Sequence, residues 1–390
     1  MSDIEIRAIA HPKDTVAFVE SWRHIYRDDP QWVPPITFER KAFFHPDKNP
    51  YFKVATVQCF MAYQQSARGR PRAVGTIAAT VDHHYQDHEA GTGFFGFFEF
   101  IEDEAVARGL LAAACDWLRE QGMTSVIGPF NFTSNHEFGL LVDGFDTPPT
   151  AANPHNSAYF PVIYEKLGLR KVMDWYAYDI DPAGPQIERM RRVTERLLRN
   201  HPEIRVRPLD MKRFDAEAEL LHDIYNDAWS HNWGHVQVTD AEFQHLARNF
   251  KSFIDPSFCF VAEISGEAAA LSVCFPDLNQ VVMKAKGRIF PTGWYHLLFG
   301  RKKIDRLRVF MLGVKRQYQH LPIGALMYLN TWERARETGV RIAEASLILE
   351  TNTRMRGAIE KMGGVISKTY RSYELALEAG ARPGDERGGS

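Results

Sequence analysis

Two short segments of this 390-residue chain recur at nearly constant distances, and this repetition constrains the fold more than any other feature. Residues 164–178 (YEKLGLRKVMDWYAY) align with residues 359–373 (IEKMGGVISKTYRSY) at an offset of 195. Upstream, the REQG of 119–122 aligns with the RETG of 336–339 at an offset of 217. Because both matches occur in the same order, the sequence predicts an ancient duplication. The alternative is two unrelated α/β domains whose helices both end at glycine.

The two offsets differ by 22 residues, which predicts an insertion of that length in the first half. The stretch 136–157 (HEFGLLVDGFDTPPTAANPHNS) fits it. The hydrophobic pattern of each half predicts the same order of strands and helices, and so an α/β (α+β) chain with two lobes. The predicted boundaries are a first lobe at 1–181, an Arg-rich connecting helix at 182–203, a second lobe at 204–377 and a disordered tail at 378–390.

The composition argues against several classes of protein. Lys and Arg number 47 and Asp and Glu 49, so the net charge is −2. A nucleic-acid partner is not expected, because polyanion binders carry a basic excess. The four cysteines lie far apart in apolar runs, as buried thiols in a reducing cytoplasm would. The polar N-terminus does not resemble a signal peptide, and no run reaches the roughly 18 apolar residues of a spanning helix. We therefore expect a cytoplasmic protein.

The segment 309–339 carries the most information about function. A strand of large apolar residues (VFMLGV, 309–314) runs into a turn at 315–325 and then into a long helix. The start of a helix presents free backbone N–H groups at the positive end of its dipole, which suits a pyrophosphate. Gly324 is small enough for phosphates to approach the backbone, and the neighbouring Lys315 and Arg316 add positive charge.

This segment resembles the coenzyme-A signature of the GNAT acyltransferases, Q/R-x-x-G-x-G/A after a strand. Here it reads Gln319-x-x-Pro322-x-Gly324, with Asn352 and Gly363 in the expected later order. Pro322 departs from the family's first glycine and removes one N–H donor. The resemblance implies two GNAT-like lobes, each a mixed central sheet flanked by helices, with acyl-CoA as co-substrate and no metal. The implied nucleotide-binding residues are Leu312, Gly313, Val314, Gln319, His320, Leu321, Pro322, Ile323, Gly324, Ala325 and Asn352.

The first half carries a different sequence at the equivalent turn. At an offset of 217, residues 319–324 correspond to 102–107, which read EDEAVA. Carboxylates without a glycine would repel a pyrophosphate. The sequence therefore predicts that the first lobe is a degenerate copy, and that each chain binds one acyl-CoA in its second half.

A closer resemblance spans nearly the whole chain. Segments such as HPKD, DPQWVPP, GFFGFFE, GPFNFTSNHEFGLLVDGFDTPP, AWSHNWG and LETNTRMRGAIEKMGGVISKTYRSYE resemble a branch of tandem GNAT proteins that includes the bacterial ceramide synthases. The resemblance implies an N-acyltransferase that uses acyl-CoA to acylate a long-chain amine such as a sphingoid base. Two alternatives remain. One is an N-acetyltransferase for a small polar amine or peptide, and the other is an inactive acyl-CoA-binding protein, which the change at Pro322 keeps open.

The resemblance also suggests how the reaction is catalysed. In that fold, a backbone N–H on the strand at 311–314 polarises the thioester carbonyl, and Gly313 allows close approach; a strand bulge is the alternative role for Gly313. A tyrosine after the last helix commonly protonates the leaving thiolate, and we favour Tyr370 because Tyr373 has a counterpart, Tyr178, in the degenerate half. The candidate general bases are Glu344, Glu350, Glu137 and His136. A structural hydrogen bond is the alternative for each, and Glu350 could instead cap the helix that follows.

Two segments are candidates for contacts with the acceptor. Trp229, His231 and Trp233 lie in a loop that borders the acceptor in the resembling fold, although they could equally anchor a surface loop. Residues 283–303 (MKAKGRIFPTGWYHLLFGRKK) combine aromatic side chains with basic flanks, a pattern typical of a peripheral contact with the inner face of the cytoplasmic membrane. The lid of an acyl tunnel and ordinary packing are the alternatives.

Two further patterns predict structure instead of chemistry. The Phe-rich run 93–100 (GFFGFFEF) is expected to form a core strand, with the wall of an acyl pocket as the alternative. The His-rich stretch 82–88 (DHHYQDH) has no partner motif, so we expect a solvated loop and no metal site.

Overall fold

The computed structural model describes residues 4–9, 14–65, 69, 71–87, 89–230, 232–236, 238–251, 254–288 and 293–377. The predicted tail 378–390 lies outside them. The chain forms two compact units. Unit 1 comprises Met1–Asp174, Ala285–Gly293 and Thr369–Ser390, and unit 2 comprises Trp175–Lys284 and Trp294–Lys368.

The first repeat contains nine strands and five helices in its described part. In chain order they are β1 (Ile4–Ile9), α1 (Thr15–Ile25), α2 (Thr37–Phe43), β2 (Ala55–Gln64), β3 (Arg72–Asp82), α3 (His83–Gln86), β4 (Thr92–Phe100), α4 (Glu104–Glu120), β5 (Ser125–Gly128), β6 (Phe130–Asn131), β7 (Glu137–Phe138), β8 (Leu140–Asp143), α5 (Tyr159–Lys166) and β9 (Arg170–Ile180).

The connecting helix and the second repeat continue in the same order. Their elements are α6 (Gln186–Asn200), β10 (Ile204–Pro208), α7 (Phe214–Trp229), α8 (Asp240–Phe250), β11 (Cys259–Ile264), β12 (Glu267–Pro276), α9 (Asn279–Ala285), α10 (Gly293–Phe299), β13 (Arg306–Val314), α11 (Ile323–Thr338), β14 (Ile342–Leu349), α12 (Thr353–Lys361) and β15 (Val365–Ala376). The predicted α/β fold class and the shared order of elements are confirmed.

The similarity between the two repeats also extends to the way in which two of their helices end. After α4 and α11 the chain turns at Gly122 (φ 83°) and Gly339 (φ 79°), a left-handed conformation that glycine adopts without a steric penalty. These are the aligned glycines of the REQG and RETG segments. The insertion at 136–157 contains two short strands, β7 and β8, as its regular elements.

The second half also departs from the prediction in one place. The stretch 278–304, which the sequence predicts to be irregular, contains two seven-residue helices, α9 and α10. The prediction of an irregular segment was therefore wrong for these two helices. Gly, Pro and Lys interrupt the apolar residues of the segment so often that its sequence shows no helical period. Residues 289–292 lie outside the described part.

Within each unit the strands pair in a mixed parallel and antiparallel pattern. In unit 1 the strands follow the order β1, β2, β3, β4, β5, with the β4–β5 pair parallel and the others antiparallel, and residues 373–376 of β15 pair with β5. In unit 2 the order is β9, β14, β13, β12, β11, β10, and here β13 and β14 form the parallel pair.

The last strand of each repeat belongs largely to the unit built from the other repeat. Residues 175–180 of β9, from the first repeat, pair with β14 in unit 2. Residues 373–376 of β15, from the second repeat, pair with β5 in unit 1. The boundaries 1–181, 182–203 and 204–377 therefore remain a prediction of where the repeats begin and end, because the compact units are composed differently.

The core of unit 1 is strongly aromatic. Phe94, Phe95, Phe97 and Phe98 of β4 are at most 3% exposed, so the prediction of a core strand is confirmed. A bulge at Phe97 (φ 46°) shifts the register with β3, and the Phe97 ring stacks on Trp22 of α1. These aromatic contacts account for much of the 26 Phe in the composition.

Candidate functional site

The two parallel strands of unit 2 separate part-way along their length. β13 pairs with β14 from Arg306 to Val309, opposite Ile342 to Ala345, and in the described part their pairing ends there. β13 continues to Val314 while remaining paired with β12 on its other side. Alternate N–H groups of a strand point to opposite sides, so part of the backbone of 310–314 faces the gap between the strands. This gap leads to the turn that the sequence analysis identified.

The first turn of α11 leaves backbone donors available at this position. Its N-cap residue, Pro322, provides no side-chain hydrogen bond, and the first turn contains no acidic residue. Among the described residues, no acceptor bonds the N–H of Ile323 or Gly324, as is expected for the first amides of a helix. A Cβ on Gly324 would meet only Leu312, at 3.9 Å, so the space beside this backbone is open. The site therefore offers donors, a helix dipole and room for an anion.

The side chains of the turn hold its shape. Gln319 Nε2 donates to the carbonyl oxygen of Val314 at 3.1 Å, and the Arg354 guanidinium donates to the carbonyl oxygen of Gln319. His320 and Pro322 are exposed, Leu321 is partly buried and Ile323 is buried. Gln319, which the resemblance assigns to nucleotide binding, thus already binds the strand that precedes it.

Lys315 and Arg316, which the sequence predicts to add positive charge at the turn, both contact α7. Lys315 Nζ lies 2.6 Å from Asp223 Oδ2, and the Arg316 N–H donates to Asp227 Oδ2 at 2.7 Å. The Arg316 guanidinium also donates to the Asp227 carbonyl and to the Ser230 hydroxyl. Lys315 is thus paired with a carboxylate of α7, whereas the Arg316 guanidinium bonds neutral oxygens at the end of the same helix.

The equivalent place in the first repeat is occupied by its own chain. Asp103 caps α4, its Oδ1 accepting from the Ala105 N–H at 2.9 Å. Beyond the short β4–β5 pairing, Asn131 Oδ1 accepts from the Phe97 N–H at 2.7 Å. A Cβ on Gly96, the counterpart of Gly313, would lie 1.8 Å from the Phe130 carbonyl oxygen. An internal carboxylate and an internal amide thus satisfy groups that the second repeat leaves open.

Asn352 has a local structural role as well as its predicted one. Its Oδ1 accepts from the Met355 N–H at 3.1 Å and so caps α12. Glu350, suggested above as an alternative cap, does not cap the helix, although its carbonyl oxygen accepts from Arg356 at 2.9 Å.

Gly313 is enclosed by the end of α7. A Cβ at this position would lie 2.3 Å from the Trp229 ring, and that ring stacks on Tyr225 with centroids 5.0 Å apart. A glycine is therefore needed at 313 because the Trp229 ring leaves no room for a side chain, and not because the strand bulges there. The Trp233 ring lies 5.9 Å from that of Trp175, whereas His231 lies outside the described residues.

Glu344, a candidate base, lies at the centre of a buried ion-pair network in unit 2. It is 0% exposed, and Arg306 Nη2 donates to its Oε2 at 2.9 Å. The same guanidinium donates to Asp179, which also accepts from Ser367 Oγ at 3.0 Å. Burial alone would lower the pKa of Arg306, but the carboxylates of Glu344 and Asp179 raise it above its ordinary value. The arrangement favours the structural alternative for Glu344.

His136 and Glu137 lie in unit 1, in the insertion. Arg40 Nη2 donates to Glu137 Oε1 at 2.6 Å, and Asn131 Nδ2 donates to Oε2 at 3.3 Å. Burial by itself raises the pKa of Glu137, but Arg40 outweighs it and holds the pKa below its ordinary value. The His136 ring packs edge-on against Phe43, 4.9 Å away. A lowered pKa makes Glu137 a weaker base than the sequence analysis assumed.

Tyr370 and Tyr373 are both 0% exposed and both belong to unit 1. Tyr370 pairs with Leu141 of β8, and a Cβ on Gly139 would lie 3.1 Å from the Tyr370 Cβ. The Tyr373 ring packs against Tyr164 at 5.4 Å, in keeping with a packing role. The assignment of Tyr370 as the acid stays a prediction.

No protein-family model matches this chain. It is 36% identical over 384 residues to the bacterial ceramide synthase of Caulobacter vibrioides, with 96% of this chain and 98% of that protein covered. Protein YghO of Escherichia coli is 32% identical over 383 residues, with 95% of each chain covered. The chain belongs to the tandem GNAT acyltransferases, in the branch of the bacterial ceramide synthases.

Solved structures agree with this membership at the level of the fold. A tandem GNAT protein from the clavulanic acid biosynthesis pathway matches with a TM-score of 0.58 at 12% identity, covering 97% of this chain and 100% of that one. A GCN5-related N-acetyltransferase from Sphaerobacter thermophilus matches with a TM-score of 0.51 at 12% identity, covering 97% of each. The predicted family, the fold and the class of enzyme, an N-acyltransferase, are confirmed.

Sequence reasoning missed two polar residues that this tandem GNAT protein buries in unit 1. Glu99, near the end of the Phe-rich strand β4, bonds Tyr26, and His155, in the insertion, bonds Asp29. The signal for Glu99 was present, since it is the one charged residue in GFFGFFEF. His155 gave no such signal, because a lone histidine in a loop has no pattern.

The described residues contain no group of three or more His, Cys, Asp and Glu side chains arranged to hold a metal ion, and His88 lies outside them. None of the described helices combines the length and the hydrophobicity that crossing a bilayer requires.

Proposed function

We propose that this N-acyltransferase transfers a fatty-acyl group from acyl-CoA to the amino group of a long-chain amine such as a sphingoid base. A ceramide is the N-acyl derivative of a sphingoid base, so the name of the Caulobacter relative supports this acceptor. The uncapped first turn of α11, beside the gap between β13 and β14, is the observation that supports the donor.

The pyrophosphate of CoA would accept hydrogen bonds from the first-turn amides of α11, and Gly324 leaves the room that it needs. The rest of the CoA chain would follow the gap, where backbone groups of 310–314 face away from β12. The Asp103 cap in the first repeat supports the prediction of one acyl-CoA per chain, because a carboxylate there already satisfies the helix N-terminus.

The reaction forms the amide C–N bond and breaks the thioester C–S bond. The attacking amine must lose a proton and the leaving thiolate must gain one. A backbone N–H of 311–314 would stabilise the oxyanion, and Tyr370 is the proposed acid. The base remains a choice among Glu344, Glu350, Glu137 and His136, and the ion pair of Glu344 with Arg306 favours a structural role for that residue.

A thiol-release assay tests the proposal. Acetyl-CoA and palmitoyl-CoA are each supplied with and without sphinganine, and free CoA is measured. We expect release with palmitoyl-CoA only when sphinganine is present. Release with acetyl-CoA and a soluble amine would replace the proposal with a small-molecule N-acetyltransferase. CoA binding without turnover on any acceptor would instead indicate an inactive acyl-CoA-binding protein.

Unit 2 also presents an aromatic surface next to basic residues, which supports the predicted membrane contact. Trp294, Tyr295 and Phe299 of α10 are 44%, 55% and 59% exposed. The Tyr295 and Phe299 rings lie 5.0 Å apart, and the exposed cations of Arg301–Lys303 follow at once. Aromatic side chains beside Lys and Arg suit the interface of an anionic bilayer, where a lipid amine would be found.

Vesicle co-sedimentation tests this contact. We expect the protein to bind phosphatidylglycerol vesicles better than phosphatidylcholine vesicles, and less as salt is raised. The variant Trp294→Ala/Phe299→Ala should lose most of this binding, whereas Phe38→Ala, a change at an equally exposed aromatic (58%) of unit 1, should keep it. Equal binding by the two variants would contradict the contact.

A further inference from the structure

Unit 1 contains a pocket that the proposed acyl-CoA site in unit 2 does not use. It is a narrow pocket that is partly open to solvent. Its walls come from the end of β4, from α5 and from the insertion that only the first repeat carries; they include Phe98, Glu99, Phe138, His155, Asn156 and Tyr164. A segment added to one repeat alone has therefore built a cavity inside the repeat that has lost its nucleotide features.

A carboxyl group without a counter-ion lies in this pocket. The Tyr26 hydroxyl donates to Glu99 Oε2, and no described residue bonds Oε1. The nearest cation, Arg40, is already paired with Glu137 at 2.6 Å. A half-buried carboxylate with no cation is unfavourable unless a ligand supplies the positive charge.

An imidazole nitrogen is the second acceptor. The His155 side chain is 4% exposed, and its Nε2 lies 3.0 Å from Asp29 Oδ2. Burial alone would raise the pKa of Asp29, but His155 holds it below its ordinary value, so this carboxylate stays ionised and favours the proton on Nε2. In the neutral imidazole Nδ1 then carries a lone pair, and the described residues provide no partner for it.

The amide side chains that line the pocket are already bonded. Asn131 Oδ1 accepts from the Phe97 N–H, and its Nδ2 donates to Glu137. Asn156 Oδ1 accepts from the Leu141 N–H at 2.7 Å, and its Nδ2 donates to the Leu141 carbonyl at 3.0 Å. The polar groups left for a ligand are thus the Glu99 carboxyl, His155 Nδ1 and the Tyr164 hydroxyl, which has no partner among the described residues. All three can accept a hydrogen bond, and the remaining walls are largely aromatic.

We infer that this pocket binds a protonated primary amine, with the ammonium group at Glu99 and His155 and the attached carbon chain against the aromatic walls. A phosphate or carboxylate ligand would lie against the Glu99 carboxylate and be repelled. An alcohol could bond to them but would leave the carboxylate charge uncompensated. The inference goes beyond the proposed function, since amine binding in unit 1 requires neither acyl-CoA nor the turn at Gly324.

Calorimetric titration of the full chain with n-hexylamine, in the absence of acyl-CoA, tests this site. We expect saturable binding of hexylamine, and at least tenfold weaker binding of 1-hexanol and of hexanoate. Glu99→Gln keeps the size and the Tyr26 contact but loses the charge, so it should weaken hexylamine binding at least tenfold. Glu102→Gln, the same change at an exposed position three residues away, should bind as the wild type does.

A second measurement on the wild type covers the case in which Glu99→Gln does not fold. Burial raises the pKa of Glu99 to about 7, so an ammonium ion must displace a proton to form the ion pair at lower pH. Hexylamine affinity should therefore fall as the pH is lowered from 8 to 6. The other titratable or charged groups that act on Glu99 are Tyr26, Arg40, Glu137, Tyr159 and Tyr164. The three tyrosines, with pKa values raised by burial, stay neutral over this range. His155, which is paired with Asp29, lines the same pocket, and its protonation would weaken ammonium binding in the same direction as protonation of Glu99.

Three results would overturn the inference. They are hexanol binding as tightly as hexylamine, an unchanged affinity in Glu99→Gln, and an affinity that does not depend on pH between 6 and 8. Each would show that the pocket is merely apolar. The titrations contain no acyl-CoA, so their results do not depend on acyltransferase activity. The proposed amine site and the proposed function can therefore fail separately.

Discussion

At the scale of single residues, this protein shows how surroundings decide what a buried carboxylate does. Glu344 and Glu99 both lie in strands rich in apolar residues. Glu344 faces the Arg306 guanidinium, so its charge is balanced and it holds β13 to β14. Glu99 meets only the phenol of Tyr26, and burial raises its pKa to about 7. The same residue type thus stabilises one unit and provides an uncompensated acid in the other.

The phenol of Tyr26 opposes the effect of burial on Glu99, because a hydrogen bond to the ionised form favours it. Tyr26→Phe should therefore raise the pKa of Glu99 above about 7. Carbon-13 NMR titration of the glutamate carboxyl groups measures this, with Glu99→Gln for assignment. Tyr63→Phe, whose hydroxyl bonds Met61, is the matched control and should leave the pKa of Glu99 unchanged. A fall in that pKa in Tyr26→Phe would contradict the assigned hydrogen bond.

Glu99 also predicts how stability depends on pH. Its pKa rises from an ordinary 4.5 to about 7 on folding, so the folded state holds the proton more tightly than the unfolded state. The carboxyl therefore lowers the free energy of unfolding as the pH rises from 4.5 to 7. Glu99→Gln should remove this contribution and be more stable than the wild type above pH 7, by roughly 1–3 kcal/mol. Denaturant titrations at pH 5 and 8 measure it, and equal differences at both values would contradict it.

Tyr370→Phe tests the proposed acid. Loss of the phenol should lower kcat at least tenfold while the Kd for CoA changes little, since proton transfer to the thiolate is lost but CoA binding is not. Tyr373→Phe is the matched control, because that tyrosine is equally buried and is assigned to packing. If Tyr370→Phe lowers Tm without changing kcat, the residue is structural.

At the scale of elements, the starts of α4 and α11 explain why the two repeats differ. Both helices follow the inner parallel strand of their unit and end at an aligned glycine. Asp103 caps α4 with its own carboxylate, whereas Pro322 provides α11 with no side-chain cap. A helix whose first amides are satisfied internally has little to offer an anion. The difference between the repeats thus depends on a few residues at one helix terminus.

Gly324→Asp should abolish CoA binding, because it places a carboxylate and its bulk where the pyrophosphate would lie. Binding of CoA by titration calorimetry is the measurement, and we expect at least a hundredfold loss. Gly357→Asp is the matched control, since a Cβ there meets nothing within 4 Å and the residue lies within α12 of the same unit. Unchanged CoA affinity in a folded Gly324→Asp protein would remove the site from this helix.

At the scale of the whole molecule, the exchange of last strands makes each unit depend on both repeats. Unit 1 takes residues 369–377 of the described chain from the second repeat, and unit 2 takes 175–180 from the first. In unit 1 this contribution is also electrostatic. Arg371 of β15 forms two hydrogen bonds with Asp174, whose side chain is 8% exposed, and the pair lowers the pKa of Asp174 although burial alone would raise it.

The fragment 1–181 should therefore not fold alone, since it lacks the strand that pairs with β5 and leaves Asp174 without Arg371. The fragment 182–390 should fail as well, because β14 loses β9. Circular dichroism melts and amide NMR dispersion measure this. The two fragments expressed together, cut at the same place, are the control and should recover a cooperative melt. A cooperative melt of isolated 1–181 would contradict the dependence.

The sequence by itself determined the repeat, the order of the helices and strands, the core strand β4 and the family. Each of these depends on local periodicity, on glycines at helix ends or on segments that remain contiguous in the chain. Only the tertiary structure decided that Asp223 and Asp227 bond Lys315 and Arg316, that Trp229 covers Gly313, and that β9 and β15 are exchanged. These contacts join residues far apart in the chain. Ion pairs, close packing and strand pairing between such residues leave no pattern in the local sequence. The pocket at Glu99 and His155 belongs to the same class, because its acceptors converge only when β4 and the insertion pack together.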